Sequence, residues 1–486
     1  MYSIEKANQF IQDNKQAVNQ QFYPNYHFAP PIGWVNDPNG VTIFNNELHL
    51  FYQHYPYEAE HGRMHWGHAK SRDGLHWEQL PVALAPDQTY DQGGVFSGSA
   101  IEKDGKLYVM YTGHLPDATD NTKTRQNQNI AVSEDGITFK KYEGNPVLAE
   151  KDVPIGSSII DFRDPKIFER EGIYYCVIGS KTVDDKGQVL LYCSNDLLTW
   201  NYVSVIFPYN HYLGSMVECP DLLLFEDKAV FILSAMDYVD EAGKTHSHIS
   251  WLIEGEMDWE KFEFQQTSIK EMDKGLDFYA PQTVKLVEGG YLAIAWMQNW
   301  QANRPTYELG HKWFGQMTLP RVIDYKKGQL QQKVPLEIID LIDIKEEKDN
   351  VGVTNEEISI EEINYVAFKI AANEVKPFEL FFTNEKNEFV QLRYLSEKQE
   401  LICSRENTAY QMKDEAGKPL DESNGVSIDP SKELFVQIFL DRSSIEVFIN
   451  EEESITNTFY VQSALTTLQV EAEHTFTLEN VKLGKI

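Results

Sequence analysis

The sequence predicts an all-β protein in which a five-bladed β-propeller is followed by a C-terminal β-sandwich. Three observations carry this reading: a turn motif that returns at a nearly constant interval, five strand–turn–strand units in step with it, and a change beyond Arg321 to strands that alternate apolar and polar residues. Repetition at a fixed period marks an array of similar supersecondary units.

The turn motif reads Ser71-Arg72-Asp73-Gly74-Leu75-His76-Trp77, then Ser133-Glu134-Asp135-Gly136-Ile137-Thr138-Phe139, then Ser194-Asn195-Asp196-Leu197-Leu198-Thr199-Trp200. Its aromatic positions, Trp77, Phe139 and Trp200, are almost evenly spaced, and a degenerate fourth copy is read as ending one interval further on, at Trp259. Apolar runs flank Asn45-Asn46, Asp104-Gly105, Glu171-Gly172, Glu226-Asp227 and Gly289-Gly290. Such residues suit tight hairpin turns. A hairpin, a polar connection and a second hairpin ending in an aromatic make a four-stranded blade, and five of them make a radial propeller. Unrelated hairpins of a sandwich would not keep so even a spacing.

Residues 1–25 precede the repeat and are read as a helical extension of the propeller unit, which is assigned residues 1–335. A helix-like segment, Val334 to Ile342, leads into a linker at 336–345. The sandwich, 346–486, is read from the alternations Val366, Phe368, Ile370; Val390, Leu392, Tyr394; Leu434, Val436, Ile438, Leu440; and, after a hairpin at Asp441 to Ser444, Ile445, Val447, Ile449. Antiparallel strands with one buried face produce that pattern.

Composition narrows the partners. The 486 residues include 75 Asp and Glu against 43 Lys and Arg, a formal charge of -32. Nucleic acid and anionic membranes recruit basic patches, so neither is expected as a partner. The N-terminus shows no secretory signal and no apolar run is long enough to span a bilayer. Cys176, Cys193, Cys219 and Cys403 form no CxxC pair, so a cytoplasmic protein with buried thiols is expected.

Alignment of the five hairpins places Asp37, Ser97, Asp164, Cys219 and Tyr279 at equivalent entrances to the innermost strands. Because these strands run along the central channel, the entrances converge on one funnel. Three of them carry an acid: Asp37 in Trp-Val-Asn-Asp-Pro-Asn-Gly, Asp164 in Phe-Arg-Asp-Pro-Lys, and Glu218 in Glu-Cys-Pro-Asp. Carboxylates gathered in a closed cleft repel one another and resist desolvation, so their retention points to chemistry or to a bound cation. No dense Asp/Asn loop accompanies them, and glycosidic cleavage needs two carboxylates, so a sugar-cleaving site without metal or cofactor is expected. Trp34, Trp66, Phe96 and Trp296 are candidates to cover a sugar ring, and Asn36, Gln53 and Ser97 to bond its hydroxyls. Arg163 is expected to keep Asp164 charged, Glu218 to be protonated through burial and the charge of Asp37, and Asp37 to stay ionised through hydrogen bonds.

In this order, WVNDPNG, FYQ (Phe51 to Gln53), WGH (Trp66 to His68), FSGS (Phe96 to Ser99), FRDPK, ECP, DFYAPQ (Asp277 to Gln282), LPR (Leu319 to Arg321) and LDRSSIEVFIN (Leu440 to Asn450) resemble glycoside hydrolase family 32 along essentially the whole chain. Val35 stands where many members of that family carry Met. The resemblance implies a propeller bearing the active site followed by a β-sandwich, and a retaining β-fructofuranosidase acting on sucrose or sucrose 6-phosphate. It implies Asp37 as nucleophile, Glu218 as general acid/base, and Asp164 as stabiliser of the transition state. An intracellular fructo-oligosaccharide β-fructosidase, a fructosyltransferase and a non-catalytic carbohydrate-binding propeller are the alternatives. Arg304, His311 and Lys312 are candidate partners for a substrate phosphate, and the sandwich is a candidate surface for homo-oligomer contacts.

Overall fold

The structure is a computed structural model describing residues 2–117 and 119–486. Five sheets radiate from one axis, and each places its first strand innermost: Gly33–Phe44, Gly94–Lys103, Ser157–Arg170, Met216–Leu224 and Tyr279–Lys285 for blades I to V. The turn chemistry explains the hairpins. Asn45 and Asn46 have φ of 52° and 61°, Asp104 and Gly105 of 53° and 72°, and Glu171 and Gly172 of 55° and 79°. Two consecutive left-handed residues form the turn whose twist matches its strands.

Between the third and fourth strands, the repeated Ser-x-Asp works as a side-chain cap. Oδ1 of Asp73, Asp135 and Asp196 each accepts the N–H groups of the second and third positions beyond it. Asp258 accepts from Glu260 and Lys261 in the same way. The turn register of blade IV therefore sets Phe262 in the aromatic position that spacing alone had given to Trp259.

The entrance residues lie within the inner strands, at β-bulges, not ahead of them. Pairing slips between Val35 and Pro38, Phe96 and Gly98, Arg163 and Lys166, Glu218 and Asp221, and Tyr279 and Gln282. Asp164, Cys219 and Ala280 there have φ of 63°, 46° and 52°, so the fifth equivalent position is Ala280 and not Tyr279. A proline follows each of these three residues and also Asp37; lacking an N–H, it is tolerated in these innermost strands because the ladder is already broken at the bulge. Blade II carries Gly98 instead, because a Cβ there would sit 1.9 Å from the Met110 carbonyl oxygen.

A segment inserted between the second and third strands of blade V returns to blade I, where Trp313–Phe314 pairs parallel with Gly33 and Trp34 and closes the ring. Of the expected N-terminal helix, Ile4–Asn14 is α-helical, with Ser3 accepting from the Lys6 N–H, and a 3-10 turn follows at Lys15–Ala17. The helix-like segment near the boundary is a single turn, Leu336–Ile339, and strand Asp343–Ser359 begins within the stretch assigned to a linker.

The C-terminal strands form a sandwich around an antiparallel pair of two long strands, Asp343–Ser359 and Thr467–Lys485. The first half of Thr467–Lys485 pairs with Phe378–Thr383 in one layer and its second half with Tyr365–Ile370 in the other. The alternating residues read from the sequence face each other across this core. The sandwich is fastened to the propeller by buried charge. Arg321 donates to Asp273 at 2.8 Å and to Glu446 at 2.6 Å; His27 lies 2.9 Å from both Asp441 and Glu446; and Arg405 donates to Asp277. Burial works against a charged His27, but the two carboxylates push its pKa up to about 9.

Candidate active site

The bulges aim side chains from blades I to IV into a cavity of about 290 Å³ at one end of the axis. Asp37 comes from blade I, Ser97 from blade II, Asp164 from blade III and Glu218 from blade IV. Cys219 joins them: its Sγ is 3.6 Å from Asp37 Oδ2 and 3.7 Å from Asp164 Oδ2, and its N–H donates to Asp164 Oδ2 at 3.0 Å. Three acids from three different blades, far apart in the chain, are thus gathered around one thiol and its neighbouring residue.

Each carboxyl is held differently. Ser97 Oγ donates to Asp37 Oδ2 at 2.7 Å and Asn36 Nδ2 to Asp37 Oδ1 at 3.0 Å, while Trp34 Nε1 fixes the Asn36 amide by donating to its Oδ1 at 2.7 Å. Gln53 lines the cavity as well, and it donates to Asn39 Oδ1, whose amide donates to the Asp37 carbonyl. Glu218 accepts from Arg163 Nε and Nη2 on Oε1, at 3.1 and 2.9 Å, and from Tyr279 Oη on Oε2 at 2.7 Å. Arg163 also donates to Asp161 at 2.7 Å. Its carboxylate partners are therefore Glu218 and Asp161 rather than the adjacent Asp164.

This corrects the expected protonation. Burial raises the Asp37 pKa despite the Ser97 hydrogen bond, with the Glu218 charge adding to the rise. Burial pushes the Asp164 carboxyl up to about 7; Arg163 opposes that rise, and Glu218 and Asp37 add to it. Burial works against ionised Glu218 too, but the Arg163 charge and the Tyr279 hydroxyl hold its pKa below the usual carboxylate range. The environment therefore raises the proton affinity of the two aspartates and lowers that of Glu218.

The aromatic expectations divide. Phe96 lines the cavity, but Trp66 and Trp296 are fully buried and Trp34 is 2% exposed, so all three belong to packed clusters behind the wall. Trp66 Nε1 is spent on the Phe96 carbonyl. The wall is completed by Trp300, His61 and Gln126, which were not anticipated. Trp300 comes from the blade V insertion and His61 from the loop before blade I's third strand, both outside the repeat. His311 stacks on Phe22 at 5.1 Å, and Lys312 borders a separate cavity beside the N-terminal helix. Arg304 is not part of the lining but stands beside it, with its guanidinium 5.7 Å from the centre of the Trp34 ring and its charge felt by His61 on the wall. Among the described residues, no group of three or more His, Cys, Asp or Glu side chains is arranged to hold a metal ion. No described helix is long and apolar enough to cross a membrane.

A five-bladed propeller that gathers three carboxyls from three blades in one funnel has the arrangement of a glycoside hydrolase. Comparison with known proteins places it more closely. The family described as Glycosyl hydrolases family 32 N-terminal domain matches residues 27–334, and its C-terminal counterpart matches residues 340–484. The chain belongs to glycoside hydrolase family 32. It is 33% identical over 459 residues to a sucrose-6-phosphate hydrolase of Zymomonas mobilis, covering 90% of this chain and 86% of that protein. It is also 33% identical over 470 residues to a raffinose invertase of Escherichia coli, covering 93% and 92%. A β-fructofuranosidase of Bombyx mori superposes with a TM-score of 0.85 at 31% identity, covering 99% of this chain and 98% of that one. A sucrose-6-phosphate hydrolase of Lactobacillus gasseri gives 0.80 at 25%, covering 99% of each.

Proposed function

We propose that this chain hydrolyses the terminal β-fructofuranosyl bond of sucrose or sucrose 6-phosphate with retention of configuration. The observation that carries the reading is the convergence of Asp37, Asp164 and Glu218 on one cavity. Asp37 attacks the anomeric carbon of the fructosyl unit while Glu218 protonates the departing glycosidic oxygen. Water deprotonated by Glu218 then attacks the fructosyl ester on Asp37 and releases fructose. Asp164 holds the fructosyl hydroxyls as charge develops on the ring. A cavity of about 290 Å³ is at the small end for ligand sites, ~300–1,000 Å³, so it suits a terminal sugar whose remainder leaves through the mouth.

Three carboxyls in one cavity titrate as a unit. Hydroxyls bound to Asp164 favour its ionised form, and the shared proton passes to Glu218, the carboxyl that faces the leaving oxygen. Arg163 retains Asp161 as its second partner when it loosens from Glu218. The four unpaired cysteines fit a reducing compartment, and a phosphorylated disaccharide is confined to the cytoplasm by its charge, so we place the enzyme there.

The test is sucrose cleavage followed by NMR, which reports both the rate and the first anomer released. Asp37→Asn is expected to lose nearly all activity while keeping its fold. A variant that cleaves sucrose at the wild-type rate overturns the assignment.

A further inference from the structure

Charge beside the cavity wall bears on which fructoside this enzyme prefers. The Arg304 guanidinium packs over Trp34, and Trp34 in turn lies 5.7 Å from Trp300 and 6.1 Å from His61, both on the cavity wall. Inside the cavity Arg163 is committed to Glu218 and Asp161, and Lys181 beyond it is bound to Asp161 and Asp185. Arg304 has one ion-pair contact, with Glu60 Oε1 at 3.4 Å, and the side chains of Arg304 and Glu60 are 37% and 41% exposed. A long, exposed pair of this kind contributes little and leaves most of the guanidinium's five donors unspent.

A neutral sugar leaving group needs no such cation. A phosphate on that leaving group does, because its approach runs towards three carboxyls in a protein of formal charge -32. The planar guanidinium offers paired donors matched to phosphate oxygens, and the Trp34 ring limits how far it can swing. We propose that Arg304 recognises the phosphate of a 6-phosphorylated leaving sugar, and that Glu60 restrains it when no phosphate is present. Sucrose 6-phosphate is then preferred over sucrose. The proposal rests on the β-fructofuranosidase reading and adds its specificity.

The experiment measures kcat/KM for sucrose 6-phosphate and for sucrose with the wild-type full chain, Arg304→Gln, Arg304→Lys and Glu60→Gln. The wild type is expected to favour the phosphorylated substrate, by a margin that shrinks as salt is raised. Arg304→Gln should lower the ratio of the two constants about 10- to 100-fold, the range of a charge-assisted contact, mainly through KM for the phosphorylated substrate. Arg304→Lys should recover part of the ratio, and Glu60→Gln should raise it. A wild type that cleaves both equally or prefers sucrose overturns the proposal, as does an Arg304→Gln variant that slows both substrates by the same factor. Failure of the wild type to cleave either substrate would instead remove the underlying β-fructofuranosidase reading.

Discussion

Replacing Asp164 by Asn should stabilise the protein while disabling it. The Asp164 side chain is almost fully buried, and its pKa is pushed from 3.8 to about 7 by burial, with Arg163 opposing and Glu218 and Asp37 adding to the rise. Because the folded value lies above the unfolded one, the fold favours the protonated carboxyl. Its stabilising contribution is complete below about pH 3.8 and is lost as pH rises through 7. A displacement of about three pH units, at ~1.4 kcal/mol each, corresponds to about 4 kcal/mol, and relaxation of the neighbouring carboxyls brings the lower bound to about 2. Asn preserves the volume and still accepts from the Cys219 N–H. Asp164→Asn is therefore expected to exceed the wild type by about 2–4 kcal/mol at pH 8 and to differ little from it at pH 4, with no useful sucrose turnover at either. Urea unfolding at the two pH values, compared by midpoint and slope, measures this. An equal gain at both, or a loss at pH 8, would refute the reasoning.

Other outcomes follow from the same geometry. The kcat/KM profile should fall above about pH 7, where the three-carboxyl cluster gives up the proton that Glu218 must donate, and should fall on the acid side as Asp37 becomes protonated; activity rising continuously to pH 9 would contradict the shared-proton scheme. His27→Gln should cost about 3 kcal/mol at neutral pH by leaving the buried Asp441 without its cation and Glu446 with Arg321 alone. In the wild type that contribution is complete below about 6.5 and lost as pH rises through about 9, which thermal unfolding across that window would show. Gly98→Ala should lower stability by on the order of 3 kcal/mol, since the methyl meets the Met110 carbonyl, and should lower kcat by displacing Ser97 from Asp37; an unaltered melting temperature would show that the bulge yields without strain.

Much of the architecture was legible because hairpin turns and aspartate caps are local chemistry. Asn45-Asn46 or Asp73 needs no distant partner to shape its turn. The bulges also left a mark, in the prolines after Asp37, Asp164, Cys219 and Ala280, and that mark aligns blade V on Ala280 more sharply than the hairpin spacing did. The facing of individual rings was not legible. Alternation assigns side chains to faces only while the ladder stays in register, and the innermost strand of each blade slips at its cavity end. Trp34 and Trp296 consequently pack behind the wall, whereas Trp300 arrives from an insertion with no counterpart in other blades. Arg163 misled for a related reason: neighbours along a strand project to opposite sides, so adjacency to Asp164 in sequence put its guanidinium on Glu218.

The closing contact between Trp313–Phe314 and Gly33–Trp34 also orders events at the ribosome. Asp37 is synthesised before blades II to V, yet its strand waits for an edge partner that is made only after the inner strands of all five blades. His27 waits longer still, for Asp441 and Glu446. Blades II to IV can form as each hairpin emerges, whereas the segment from His27 to Asp37 finds its final place only after Asp441 and Glu446 have been made. Premature termination before the sandwich would release a chain whose N-terminal segment has lost its buried ion-pair partners, a form that proteolytic quality control can distinguish from the finished enzyme.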